Sequence, residues 1–365
     1  MFSCRMVRAG FTTIDRDNFD NNSPIYFPVT HHQDQQSSIM SGINFDLNTE
    51  GLDVVRHLQD QVSGRTFLIT GPSEGGLGAE TAISLAHANP ALLIFVGRTL
   101  SKIQPTIDAV HAVNPSIAVK FVAADLTSAN SVREAAREIL NDASITHIDV
   151  LINNAAVMAC PYELTVDGFE LQFATAHLGH FVLTNHILPK LRASAGAGKT
   201  RIINLSSLGN TLGGIRWDDP SYTKRPEEYR AWEAYGQAKT ANVLFTLALN
   251  KRLLASKTGI RSYALHPGGI YTPLLRYMND ELMEELKQRL GMTQEFPFKT
   301  LQAGCATTLR AALDPELEKQ EDGVFLSDCQ FTKDPVIVAP WALDEEDAER
   351  LWRLSEELVG EKFEL

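Results

Sequence analysis

From Asp53 onward, short runs of β-branched and apolar residues alternate with longer stretches of helical periodicity. That alternation predicts βαβ units around a parallel sheet. The strand-like runs are Thr66–Thr70, Leu92–Val96, Ala118–Val122, Val150–Asn153, Arg201–Leu205, Arg261–Leu265 and Val324–Leu326. About seven strands of this kind build one doubly wound α/β domain. No Pro-, Gly- or Ser-rich linker interrupts Gly64 to Ala339 and no repeat is evident, so a single domain is expected. A last amphipathic helix runs to Leu358, opened by Asp344, Glu345, Glu346 and Asp347, whose carboxylates suit a helix N-terminus.

The first 45 or so residues lack this periodicity. They are rich in Asn (Asn18, Asn21, Asn22) and Gln (Gln33, Gln35, Gln36), and predict a disordered leader ahead of a domain spanning 46–365. Arg5, Arg8 and Arg16 are interleaved with Asp15, Asp17 and Asp20, which argues against an acid-poor presequence. His31–His32 lacks a third ligand, and no metal site is expected.

Composition narrows the function classes. The 365 residues carry a net charge of −12, so the attraction to phosphate backbones or anionic lipid that strong binders use is missing. Cys4, Cys160, Cys305 and Cys329 are scattered without CxxC spacing, as in a reducing, cytoplasmic setting. Apolar runs such as Ala91–Val96 stop far short of the roughly 18 residues a bilayer requires.

Directly after the first strand comes Thr70-Gly71-Pro72-Ser73-Glu74-Gly75-Gly76-Leu77-Gly78, then the helix-forming Ala79–Ile83. Strand, glycine turn and helix are what a dinucleotide pyrophosphate needs, because backbone N–H groups and a positive helix end must approach the anion closely. Roughly twenty residues beyond that turn, an acid would hold the ribose hydroxyl of NAD, whereas an arginine accommodates the 2′-phosphate of NADP. Arg98 stands there, with Lys102 one turn on, so NADP(H) is expected. Asp125, after the third strand, either holds the adenine amino group or caps the next helix.

Tyr235 and Lys239 lie one turn apart in an apolar-periodic helix. A phenol with a pKa of about 10 becomes a useful acid/base only where a nearby cation favours its ionised form, and Lys239 supplies one. Ser206 and Ser207 follow the fifth strand, where open α/β sheets bind ligands.

In this order the Thr70–Gly78 turn, Asp125, Asn153-Asn154-Ala155-Ala156, Ser207, Tyr235 with Lys239, and His266-Pro267-Gly268 resemble the short-chain dehydrogenases/reductases, from about Gly51 to the C-terminus. His177–Phe181, Ala234–Lys239 and Phe325–Cys329 are similar to the retinol dehydrogenase and WW-domain oxidoreductase branch and its fungal relatives, which commonly act on lipophilic carbonyls and alcohols. The resemblance implies a Rossmann-type fold in which Tyr235 exchanges a proton with the substrate oxygen and Ser207 holds that oxygen, Ser206 being the second choice. Lys239 would lower the phenol pKa and bond the nicotinamide ribose. Gly71, Gly76, Leu77 and Gly78 would form the pyrophosphate turn, Asn153 would line the cofactor, and Ile270 and Thr272 would meet the carboxamide. Helices Phe169–Leu188 and Tyr235–Leu254 are those the family often pairs in a homodimer.

Three positions depart from the family pattern. Four residues separate Gly71 from Gly76, one more than in the usual TGxxxGxG. Ala156 replaces a glycine. Ala176 stands in place of the branch's asparagine, which in the family helps to anchor a water relaying protons to the lysine. The leading expectation is an NADP(H)-dependent reductase or dehydrogenase of a lipophilic carbonyl or alcohol. The alternative is a cofactor-binding protein with weakened or lost catalysis. An epimerase or dehydratase fits poorly, because no long sugar-nucleotide domain is evident. His177 and His180 are read as core or surface histidines rather than metal ligands. Aromatic residues between Ser207 and Tyr235 (Trp217, Tyr222, Tyr229, Trp232), with Tyr271–Gly291, form either an apolar substrate lid or a packed surface loop.

Overall fold

The computed structural model describes residues 44–194, 200–295, 297–320 and 322–364. The expected leader up to residue 43, with Cys4 and the His31–His32 pair, lies outside the described residues.

The strands are β1 (Thr66–Thr70), β2 (Leu92–Gly97), β3 (Ala118–Ala123), β4 (Val150–Asn153), β5 (Arg201–Leu205), β6 (Arg261–His266), β7 (Gly269–Ile270), β8 (Phe298–Lys299), β9 (Phe325–Ser327) and β10 (Gln330–Phe331). The helices are α1 (Gly51–His57), α2 (Leu77–Ala86), α3 (Leu100–Val113), α4 (Ala129–Asn141), α5 (Leu171–Phe173), α6 (Gly179–Ser194), α7 (Ala231–Ala255), α8 (Asp280–Arg289), α9 (Leu301–Leu313) and α10 (Glu345–Val359). A π turn over Ala174–Leu178 joins α5 to α6.

Eight strands form the main sheet in the order β10-β9-β6-β5-β4-β1-β2-β3. All its pairings are parallel except that of β9 with β10. The order in which strands are added reverses between β1 and β4, so the carboxyl ends of those two strands open the crevice where doubly wound sheets take ligands. In register, β1 pairs Ile69 with Ile152, and β5 pairs Asn204 with Asn153 and Leu205 with Leu265. The loops that follow Thr70, Asn153, Leu205 and His266 therefore leave from the same edge.

Both faces of the sheet are covered, which explains why its strands read as continuous apolar runs. Along β1, Phe67 and Ile69 join a buried cluster with Val54 (α1), Leu85 (α2) and Leu309 (α9). Leu68 points the other way, into a cluster with Ile139 (α4), Phe181 (α6), Leu244 (α7) and Trp352 (α10). That two-residue alternation sorts the helices onto the two faces of the sheet.

The strand missing from the sequence expectation is β10. It arises from a tight hairpin in which Asp328 and Cys329 both adopt left-handed φ values of +49° and +64°. Such hairpin turns are usually signalled by Asn-Gly or Asp-Gly, and here neither is present. β7 and β8 form a separate two-stranded sheet. No helix among the described residues is long and apolar enough to cross a membrane.

Candidate active site

The loop after β1 makes the phosphate-type turn. Gly71 and Gly75 take φ values of +64° and +71°, a region open chiefly to glycine. Gly75 absorbs the additional residue of this turn by that left-handed step. At Gly71 a Cβ would lie 2.8 Å from the Cβ of Ala155, and at Gly78 one would lie 2.6 Å from Nδ2 of Asn154. The turn is thus pressed against the loop after β4 with room for backbone only. Gly76 precedes α2 with no side-chain cap, so the first-turn N–H groups of α2, from Leu77 on, have no partner of their own. An uncapped positive helix end beside a backbone-lined cradle suits a dinucleotide pyrophosphate.

The remaining expected cofactor positions fall around this turn. Arg98 is exposed at the end of β2. Asp125 is half-buried and its Oδ1 accepts from the backbone N and Oγ1 of Thr127 (3.0 and 2.8 Å). The cap of α4 is Ser128, not Asp125. Ile270 is buried, and Thr272 caps the turn Pro273–Tyr277 by accepting from the N–H of Leu274 (3.3 Å). Leu77 and Ile270 meet over α9, where a Cβ on Gly304 would sit 2.9 Å from Leu77 Cδ2 and 2.6 Å from Ile270 Cγ1. Asn153 is placed differently. Its amide lies 2% exposed inside the sheet, donating to Thr184 Oγ1 (3.0 Å) and Asn204 Oδ1 (2.8 Å). Only its backbone and the following Asn154–Ala156 loop border the crevice.

Tyr235, Lys239 and Ser207 come together at the ends of β5 and β6. Tyr235 and Lys239 are buried on one face of α7, with Lys239 Nζ 5.6 Å from the centroid of the Tyr235 ring. Ser207 begins the turn Leu208–Leu212, and its Oγ accepts from the N–H of Gly209 (3.0 Å). The Ser207 hydroxyl and the Tyr235 ring flank the same spot beside Gly209, where a Cβ would lie 3.5 Å from Ser207 Oγ and 2.6 Å from Tyr235 Cε1, and Ser207 favours the ionised phenol. Ser206, by contrast, spends its hydroxyl on the carbonyl of Lys239 (2.8 Å). Of the two serines, Ser207 is the one aimed at the phenol.

Burial dominates the electrostatics of the site. It pushes the Tyr235 phenol up to about 12, opposed by the neighbouring Ser207. Burial also lowers the Lys239 ammonium to about 7, and Nζ donates to the carbonyl of Leu205 (2.9 Å). The lowering of the phenol that Lys239 was expected to provide is not expressed here. Desolvation outweighs it for both groups.

A pocket wall adjoins the phenol. Met158, Ala159, Trp232, Tyr235 and Leu286 form one buried apolar cluster, backed by Leu212, Leu274, Leu275, Met278, Leu282 and Leu290. Trp232 Nε1 donates to the carbonyl of Leu282 (3.0 Å), and Arg289 pairs with Glu233 (3.3 Å), so α8 is tied to the first turn of α7. Of Tyr271–Gly291, residues Leu274, Leu275, Met278, Leu282, Leu286 and Leu290 therefore pack in the same cluster as Tyr235. Most aromatic residues between Ser207 and Tyr235 do not. Tyr222 is 0% exposed beneath the Arg216 guanidinium (4.3 Å), Trp217 packs under Arg350 (4.2 Å), and Trp232 alone of that set turns toward Tyr235.

Three further residues support the site: Gly209 and Asn210, which had little sequence signal, and His266, which the sequence marked only as part of His266-Pro267-Gly268. Gly209 is required by Tyr235, since a Cβ there would lie 2.6 Å from Cε1 of the ring. Its position two residues after Ser207 was the available hint. Asn210, 0% exposed, donates to the carbonyls of Ser207 (2.6 Å) and Ile337 (2.9 Å) and accepts from the N–H of Ala339 (2.7 Å). His266 Nδ1 accepts from the N–H of Leu208 (3.0 Å), and burial pulls its pKa down to about 4. His177 and His180 form no metal cluster, and none exists among the described residues.

Comparison with known proteins agrees with this layout. Residues 65–283 match the family model described as short chain dehydrogenase. The chain is 38% identical over 304 residues to retinol dehydrogenase 12 of Mus musculus, covering 83% of this chain and 89% of that protein. It is 35% identical over 325 residues to the short-chain dehydrogenase/reductase prx1 of Penicillium roqueforti, covering 86% and 91%. Among solved structures, an uncharacterized protein from Mycobacterium Paratuberculosis superposes with a TM-score of 0.60 at 32% identity, over 83% of this chain and 96% of that one.

Proposed function

The chain belongs to the short-chain dehydrogenase/reductase family, and from that premise we propose an NADP(H)-dependent oxidoreductase that interconverts a lipophilic ketone or aldehyde with its alcohol. The observation that carries this reading is the gathering of Ser207, Tyr235 and Lys239 at the ends of β5 and β6, with Lys239 Nζ 5.6 Å from the phenol ring and an apolar cluster beside it. When bound, the nicotinamide cofactor supplies or accepts the hydride.

In the reductive direction Ser207 holds the carbonyl oxygen and Tyr235 gives that oxygen its proton. In the oxidative direction the same phenolate takes the proton back. A pKa of about 12 is too high for an efficient acid/base near neutrality, so the phenol has to be brought down by positive charge nearby. Lys239, at about 7, is part-protonated at neutral pH and carries that charge into a water-poor site, where it acts strongly. Met158, Trp232 and the α8 leucines exclude water and favour an apolar substrate body. Exposed Arg98 suits a 2′-phosphate.

One observation favours a second reading. Ala176 is fully buried and offers only a carbonyl where the family's asparagine side chain would stand. A protein of that kind would bind the cofactor and turn over slowly or not at all. Incubating the purified chain with NADPH or NADH and a panel of lipophilic aldehydes and ketones separates the two. The oxidoreductase reading requires cofactor oxidation, faster with NADPH. Cofactor binding without any oxidation across the panel leaves the second.

A further inference from the structure

The structure assigns His180 a positioning role: a neutral imidazole, protonated on Nδ1, ties the phosphate turn to the π turn by donating to the Ala176 carbonyl. His180 is 2% exposed at the start of α6. Its two ring nitrogens face different parts of the site. Nε2 lies 2.8 Å from Oγ1 of Thr70, the last residue before the glycine turn, and Nδ1 lies 3.0 Å from the carbonyl of Ala176.

Counting protons fixes the tautomer. The Thr70 hydroxyl accepts from the N–H of Asn154 (2.9 Å) and from the N–H of Ala155 (3.0 Å), which uses both of its lone pairs. Its one proton is left for Nε2 of His180 at 2.8 Å, the carbonyl of Ile152 being 3.5 Å away. Nε2 is therefore an acceptor and bare. A neutral ring then carries its proton on Nδ1, and the carbonyl of Ala176 receives it. This is the reverse of the form that histidine favours in water, so it has to be imposed by these partners.

Through these bonds one imidazole sets four backbone segments: the ends of β1 and β4, the glycine turn that continues from Thr70, and the Ala174–Leu178 π turn. A protonated ring would confront the Thr70 hydroxyl with a donor where it needs an acceptor. It would also place a second cation near Lys239, and burial together with that lysine holds the imidazole down at about 4. His180 thus adds a side-chain donor to a carbonyl of the Ala174–Leu178 π turn.

The first test needs no variant and no cofactor. Nitrogen-15 histidine spectra of the full chain between pH 5.5 and 8 report the tautomer directly. A neutral Nδ1–H histidine that does not titrate, and whose signal disappears in His180→Leu and shifts in Thr70→Val, is expected. A His180 found in the Nε2–H form, or titrating in that range, overturns the assignment. The second test is amide exchange of the ligand-free protein. His180→Leu is expected to speed exchange at Asn154 and Ala155 about tenfold or more, with peripheral α3 unchanged. Unchanged exchange at Asn154 and Ala155 overturns the proposal.

A third test rests on the cofactor reading above. His180→Leu is expected to weaken NADPH binding, measured by fluorescence titration, by about tenfold. Combined with Thr70→Val it should add little, because both changes remove the same link. Singles whose effects multiply, or a His180→Leu protein that binds as tightly as the parent, count against it. A parent chain that binds no dinucleotide would fail the functional reading, while the tautomer and exchange results would still decide the role of His180.

Discussion

Gly209→Ala is a small change with a large expected effect. The added Cβ would lie 2.6 Å from Cε1 and 2.7 Å from Cδ1 of Tyr235, and 3.5 Å from Oγ of Ser207. A contact of 3.4 Å is ordinary, so the ring has to retreat by about 0.8 Å. The ring has little freedom to do so, being 4% exposed with Trp232 edge-on at 6.0 Å between centroids. Catalytic groups work within about 0.5 Å of their productive positions, and a misplacement of about 1 Å costs on the order of 10²-fold. The expected result is a kcat about 10–100-fold lower, with overpacking costing about 1–3 kcal/mol of stability. NADPH affinity should stay within about twofold, because neither Gly209 nor Tyr235's ring position touches the glycine turn. Gly304→Ala provides the contrast, since it crowds Ile270 and Leu77 instead and should weaken cofactor binding. Steady-state kinetics, fluorescence titration and thermal melts on both variants complete the test. A folded Gly209→Ala protein with parental kcat would show that the phenol is not held where catalysis needs it.

Three further outcomes are expected. Arg98→Ala should cut the preference for NADPH over NADH by about 10–100-fold, the worth of one charge-assisted contact of about 1.5–3 kcal/mol, measured as the ratio of kcat/KM values. Asn210→Ala strands the carbonyls of Ser207 and Ile337 and should cost about 1–3 kcal/mol in urea unfolding while lowering kcat; an unchanged kcat would exclude a role in holding Ser207. Burial lowers the imidazole of His177 from 6.5 to about 3, so this residue is neutral when folded and gains its proton on unfolding. Its share of stability is therefore present above pH 6.5 and lost as pH falls toward 3. His177→Phe, set among Phe173, Phe181 and Phe245, should flatten the loss of stability between pH 6 and 4 by up to about 1.4 kcal/mol per pH unit, read from urea midpoints.

Much of this was legible in the sequence because it rests on local periodicity. The seven expected runs are strands of the main sheet, since each is a short β-branched or apolar run bounded by turn residues, even β3, which lies half-buried at the sheet edge. Glycine turn, Ser207 and the Tyr235–Lys239 pair could be located because their spacing reflects strand ends and one helical turn. What escaped depends on packing between distant segments. Ser206 and Ser207 are equivalent as letters and differ only once α7 offers Ser206 a carbonyl. Asn153 turns inward because Asn204 and Thr184, far along the chain, present partners for its amide. The aromatic loop before Tyr235 offered several candidate wall residues, but Tyr222 lies beneath Arg216, Trp217 packs under Arg350 and Tyr229 is held against Tyr162 and Tyr222, which leaves Trp232 beside Tyr235. His180 could be noticed by its spacing from His177, but its role required the hydroxyl of Thr70 more than a hundred positions earlier.

The central claim is that the Tyr235 phenol, beside Ser207 and Lys239, transfers the proton while the nicotinamide transfers hydride. Its most direct test compares the parent chain with Tyr235→Phe in a single-turnover experiment, with NADPH already bound and a lipophilic aldehyde added. The account predicts that both proteins bind NADPH alike and that loss of the phenolic proton slows NADPH oxidation by about 10²–10⁴-fold. Oxidation at the parental rate in Tyr235→Phe would contradict it.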